Sequence, residues 1–202
     1  MRGLFALSVG LISAVAVADR VITVPTGKKI PVNSVRWESY FETRRADGVE
    51  WLLAAGLTRE IELELVGDRF DRHVRPALNV SYNYIAPFTD MTPGLSVGVR
   101  DVMNVTPQGR SPYLAATYRI GLDGDHNQRT PAELTLGVGT GGFRGVFVGF
   151  FFPVTDSWRL IGDHDGHTVS GGIEFRPSPE LALRFVQQSS RGLIGIQLNQ
   201  RF

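Results

Sequence analysis

Two short stretches of the chain gather side chains that could do chemistry. Asp163-His164-Asp165-Gly166-His167 places two carboxylates and two imidazoles within five residues. At a rim, such a group could ligate a divalent metal or activate a water molecule. The same residues also read as a tight hairpin, with Asp165-Gly166 supplying the positive-φ positions of a type I′ turn and solvated histidines beside it. No further ligand follows nearby, so no metal site is assigned. Asp123-Gly124-Asp125-His126-Asn127 has the D-x-D-x-N opening of a calcium loop. Gln128 stands where that loop needs Gly, and Leu134 where it needs a bidentate Glu. The glycines at 137, 139, 141 and 142 have no helix after them to form a phosphate cradle. The serines lack the strand-turn-helix context of a nucleophile elbow, and the chain has no cysteine. No catalytic residue and no cofactor are expected.

A larger set of ionisable residues recurs at alternate positions. Arg36, Glu38, Glu42, Arg44, Glu50, Glu62, Glu64, Arg75, Arg100, Arg119, Glu174, Arg176, Arg184 and Arg201 all oppose an aliphatic face. Side chains alternate across a strand with period two, so one face of each strand is charged and the other apolar. VRWESYFETR (35–44), VEWLLAAGLT (49–58), EIELELVG (60–67) and RPALNVSYNY (75–84) show the pattern first. GLSVGVRDV (94–102), PYLAATYRI (112–120), AELTLGVGT (132–140) and GVFVGFFFP (145–153) continue it. WRLIGDHD (158–165), TVSGGIEFR (168–176), LALRFVQ (181–187) and the terminal LIGIQLNQRF (193–202) complete twelve predicted strands. Turn residues bound each one, as in Asp47-Gly48. Residues 20–31, RVITVPTGKKIP, form a lead-in with no assigned structure.

The opening MRGLFALSVGLISAVAVADR has Arg2, an apolar run and the small-x-small Ala16-Val17-Ala18. That is the form of a secretory signal peptide, residues 1–18, cleaved near Ala18 and followed by a single domain over 19–202. Arg2 is one of the chain's 21 basic residues, which leaves 20 against 20 acidic in the mature protein. This balance gives no reason to expect a nucleic-acid partner. An exported chain without disulfides is held by backbone pairing and packing, or by a membrane.

Regular short strands suit a soluble sandwich or a membrane barrel. The even strand number and the segregation of charge favour the membrane, because Arg or Lys facing mid-bilayer costs ~2–4 kcal/mol. Several of the turns after even strands (56–60, 86–94, 121–131, 153–158, 176–181) share Pro, Thr-Asp or Ser-Pro character. Trp37, Tyr84, Phe152, Trp158, Phe175 and Phe202 cluster near them like an interfacial girdle. The fold expected is all-β: an antiparallel up-and-down transmembrane β-barrel of about twelve strands. The charged face would line its lumen, either as a polar pore or as a ladder of ion pairs that fills it. Lumen glycines 98, 137, 139, 149 and 172 would thin that lining.

The terminal strand ending in Phe202 resembles the C-terminal signal that outer-membrane barrels present to their assembly machinery. The turns Val154-Thr155-Asp156-Ser157-Trp158, Asp163–His167 and Arg176-Pro177-Ser178-Pro179-Glu180-Leu181 add a narrower likeness. Over roughly 94–202 their succession resembles the YjbH-like barrels associated with exopolysaccharide export. That resemblance implies an outer-membrane location, with lipids, the barrel-assembly machinery and a polysaccharide as partners. The implied function is a small pore or an accessory to polysaccharide export. A structural barrel plugged by ion pairs and a rim-site hydrolase using Asp163, His164, Asp165 and His167 are the alternatives.

Overall fold

A computed structural model describes residues 20–44, 48–68, 76–85, 92–121 and 131–202. Arg75, the Asp123–Asn127 loop and the expected leader lie outside the described residues, as do most of the turns at 86–94 and 121–131. Twelve strands follow in order: β1 Ser34–Glu42, β2 Val49–Gly56, β3 Ile61–Asp68, β4 Ala77–Ile85, β5 Gly94–Arg100 and β6 Ser111–Ile120. β7 Ala132–Gly139, β8 Gly145–Pro153, β9 Trp158–His164, β10 Val169–Phe175, β11 Leu181–Gln188 and β12 Arg191–Arg201 complete the set. Each pairs antiparallel with its sequence neighbour, and β12 returns to pair with β1, so the sheet closes with no free edge. The closing ladder runs from Ser34↔Arg201 to Glu42↔Leu193. The Phe202 N–H donates to the Asn33 carbonyl just beyond it at 2.9 Å.

Every predicted strand is present, with ends displaced by up to about two residues. β1 stops at Glu42, so Arg44 falls in the following turn and is exposed rather than lining the interior. Arg201, at the end of β12, is likewise exposed at the rim.

β1 begins and β12 ends at one mouth of the barrel, here the near mouth; the other is the far mouth. The outer wall carries an apolar belt of exposed residues, among them Leu53, Leu65, Val97, Leu114, Leu136, Phe150, Leu160, Ile173, Phe185, Ile194 and Leu198. In water such a continuous belt would be unstable, whereas in lipid it is the required surface. Trp37, Tyr84, Phe152, Trp158 and Phe202 are exposed toward the near mouth. Phe175 stacks on Trp158 there, with ring centroids 4.6 Å apart. The predicted girdle therefore sits at one end of the barrel.

Candidate functional site: a filled polar lumen

Inside the barrel, the alternation that puts Trp37 outward puts Arg36 and Glu38 inward, both almost fully buried. Glu38 sits among three arginines: Arg36 Nε at 3.0 Å, Arg20 Nε at 3.5 Å and Arg184 Nη1 at 3.6 Å. Arg36 reaches on to Glu64 at 3.2 Å. Glu174, on β10, is a second centre of the same kind. It accepts from Arg159 Nε and Arg184 Nε at 2.8 Å each and from Arg176 Nε at 3.1 Å. The Arg184 Nη1 also donates to the Tyr40 hydroxyl at 2.7 Å. Apart from Arg20 in the lead-in and Arg176 just past β10, these residues belong to β1, β3, β9, β10 and β11, and they form a continuous ionic arc on one wall. Buried charges persist only when paired in this way.

The opposite wall is braced differently. The ring of Tyr113 lies over Gly98 and that of Phe147 over Gly137, where a Cβ would collide with the rings at 2.5 Å and 2.1 Å. Phe143 fills the space beside Gly139, and the Tyr113, Phe143 and Phe147 rings pack together. Gly98, Gly137 and Gly139 therefore do not thin the lining; they receive aromatic rings, which polar-face counting on β8 overlooked. The near-continuous apolar run GVFVGFFFP was the available sign that β8 is apolar on both faces.

The lead-in at 20–31 joins the lumen. From Pro31, at the near mouth, it runs up the interior to Arg20, and Val21, Ile22, Val24 and Ile30 are almost fully buried there. Its main-chain N–H groups at Ile22, Thr23 and Val24 all donate to Asp163 Oδ2, at 2.9, 2.6 and 3.0 Å. The Ile30 N–H donates to Glu62 at 2.7 Å, and the Gly27 N–H to the Thr117 hydroxyl at 2.7 Å. Arg20 pairs with Glu50 at 2.9 Å, and Lys28 with Glu133. Wall donors complete the set: Ser96 to the Thr26 carbonyl, Arg100 to that of Thr23 and Arg184 to that of Val21. Val21 occupies the place a Cβ on Gly149 would take, and Ile30 packs on Leu52 and Ala54. Above the segment a cavity of about 260 Å³ opens toward the far mouth, lined by Arg20, Thr23, Glu50, Arg100, Asp101 and Ser111 among others.

Of the predicted lumen residues, Arg36, Glu38, Glu62, Glu64, Arg100, Glu174, Arg176 and Arg184 lie inside, with Glu42 half-buried near the far end of β1. Glu133, Arg159 and Asp163 were not predicted as lumen residues, although strand parity on β7 and β9 was enough to find them. The rim cluster does not assemble. Asp163 points inward and is taken by the lead-in, while His164 Nδ1 lies 3.1 Å from the Thr168 carbonyl. Asp165 caps its own turn by accepting from the His167 and Thr168 N–H groups. Gly166 alone in that turn has positive φ, +91°, so the turn is not type I′. Among the described residues no group of three or more His, Cys, Asp or Glu could hold a metal ion.

A closed, twelve-stranded, antiparallel barrel with an apolar exterior and a charged interior defines a class of architecture. Among solved structures, the chain resembles the KdgM porin and the KdgM porin in complex with disordered oligogalacturonate. Each matches with a TM-score of 0.52 and 9% identity, over 84% of this chain and 99% of the other. At that identity the likeness is one of fold. No family model matches the chain, so nothing there supports the YjbH-like assignment, and no curated protein matches it either.

Proposed function

We propose that the protein is an outer-membrane β-barrel whose lumen is a pathway for small hydrophilic solutes, held shut by residues 20–31. The observation that carries this reading is the inversion of a soluble fold: aliphatic and aromatic residues outside, buried and paired charges within. Such a distribution is stable in a bilayer with an aqueous or polar core. The shared fold with a porin, one form of which carries an oligogalacturonate, supports a solute-conducting role. In this reading the near mouth faces the periplasm, and the strand ending at Phe202 is what the assembly machinery engages. An accessory part in polysaccharide export has only the turn resemblance behind it. A permanently plugged structural barrel is the second reading, favoured by the filled lumen itself.

The test is fractionation of expressing cells, followed by gels of the membrane fraction without and with boiling. A closed membrane barrel should sediment with the outer membrane and change mobility on boiling. Recovery as a freely soluble periplasmic protein with no mobility change would overturn the reading.

A further inference from the structure

We infer that residues 20–31 are a removable gate, and that the groove they leave makes the open barrel a path for cations. The inference rests on the membrane-pore reading above. Among the described residues the segment meets the sheet's ladder only at its C-terminal end: Val32 bridges to Gly56, Asn33 turns with φ +59°, and β1 begins at Ser34. Above Val32 no ladder pairing holds it. Side chains of the wall grip its main chain instead, and the cavity beyond it admits water from the far mouth.

The chemistry of that grip is one-sided. RVITVPTGKKIP contains three basic residues and no carboxylate. What it offers the wall acids is cations and N–H donors: Arg20 to Glu38 and Glu50, Lys28 to Glu133, the Ile30 N–H to Glu62, and three N–H groups to Asp163. In return two wall cations, Arg100 and Arg184, touch its carbonyls, and Arg184 keeps Glu174 and Tyr40 when the segment leaves. Departure therefore takes a partner from five carboxylates, Glu38, Glu50, Glu62, Glu133 and Asp163, spread from far mouth to near; Glu38 keeps Arg36 and Arg184, and Glu133 keeps Arg119 at 3.6 Å. Arg100 loses the Thr23 carbonyl but keeps the attraction of the wall carboxylates Glu64 and Asp163, and its guanidinium stays over the Phe143 ring, 4.5 Å from the centroid. A permeant cation would take the place of the donors that left.

The absence of cysteine allows a clean test. The Val21 Cβ lies 3.2 Å from where a Cβ on Gly149 would stand, so Val21→Cys with Gly149→Cys can cross-link gate to wall while Asp163 stays in place. In planar bilayers the oxidised variant should be silent and should open in steps when a phosphine reductant is added. Silence in both redox states, or equal current in both, overturns the gate. Deletion of residues 20–30 should give constant conductance. In a tenfold KCl gradient its reversal potential should carry the sign of potassium preference and move toward zero with Glu62→Gln and Glu133→Gln added. Chloride preference, or a silent folded barrel, overturns the inference. The mobility change on boiling, read on the same samples, separates this failure from failure of the membrane reading: a variant that keeps the change and does not conduct refutes the gate alone.

Discussion

Replacing Glu174 by Gln tests whether the ionic arc holds the barrel wall. Glu174 is fully buried and accepts from three guanidinium groups at 2.8, 2.8 and 3.1 Å. Glutamine keeps the shape and one acceptor oxygen but removes the charge. Arg159, Arg176 and Arg184 then share the interior with one fewer counter-charge. Removing one partner of a buried ion pair costs about 3–5 kcal/mol, because the remaining charge stays desolvated. Arg184 retains Glu38 at 3.6 Å and the Tyr40 hydroxyl, and Arg176 is partly solvated, so the lower half of that range applies, about 3 kcal/mol. For a chain of this size about 3 kcal/mol lowers the unfolding midpoint by roughly 6–12 °C. The assay is thermal loss of the cold-gel mobility form in lipid vesicles, supported by urea unfolding followed through tryptophan fluorescence. Adding Arg184→Met should recover part of the loss, since neighbouring charges couple. A Glu174→Gln protein that loses under about 1 kcal/mol would refute the claim that this carboxylate organises the wall.

Gly149→Val places a side chain where Val21 now sits, so the gate should be displaced while the strand still forms; bilayer current should rise and mobility on boiling should still change. Leu136→Arg, in mid-belt on β7, should cost ~2–4 kcal/mol in membrane stability, and a variant as stable as the parent would mean that this face does not meet lipid. Asp101 accepts from the Val105 and Thr106 N–H groups and the Thr106 hydroxyl at 2.8, 2.7 and 2.6 Å. Burial alone would raise its pKa, but these bonds outweigh burial and hold it below the usual carboxylate value. Its folded pKa is depressed, so its contribution is full above about pH 4 and falls away as pH drops through the folded value. Protease cutting within 101–110 should therefore increase in acid, and Asp101→Asn should show the increase already at pH 7.

Period-two alternation located all twelve strands because a barrel wall separates two solvents, and every residue on it must declare for one. The same rule identified Arg36, Glu38, Glu174 and Arg184 as interior. It placed Arg44 and Arg201 inside as well, because alternation continues past the last ladder bond and says nothing of where the rim is. The lead-in was beyond reach for another reason. RVITVPTGKKIP has no strand or helix period, and its partners Asp163, Glu62 and Glu133 lie more than thirty residues away. Asp163 illustrates the difficulty: beside His164 and His167 it looked like part of a rim site, whereas its strand parity turns it inward to bind backbone. The ring-on-glycine pairs were legible only once cross-strand register was known, since Gly98 meets Tyr113, and Gly137 meets Phe147, across neighbouring strands.

The seam where the last strand meets the first has a mechanical consequence. It joins nine residue pairs without irregularity, whereas β4 and β5 share five, with a shift between Asn83 and Ile85. The place where the chain's two ends meet is thus better zipped than the interior of the sheet. For the proposed pore, this seam would offer no sideways exit into the bilayer, and movement through it would follow the long axis.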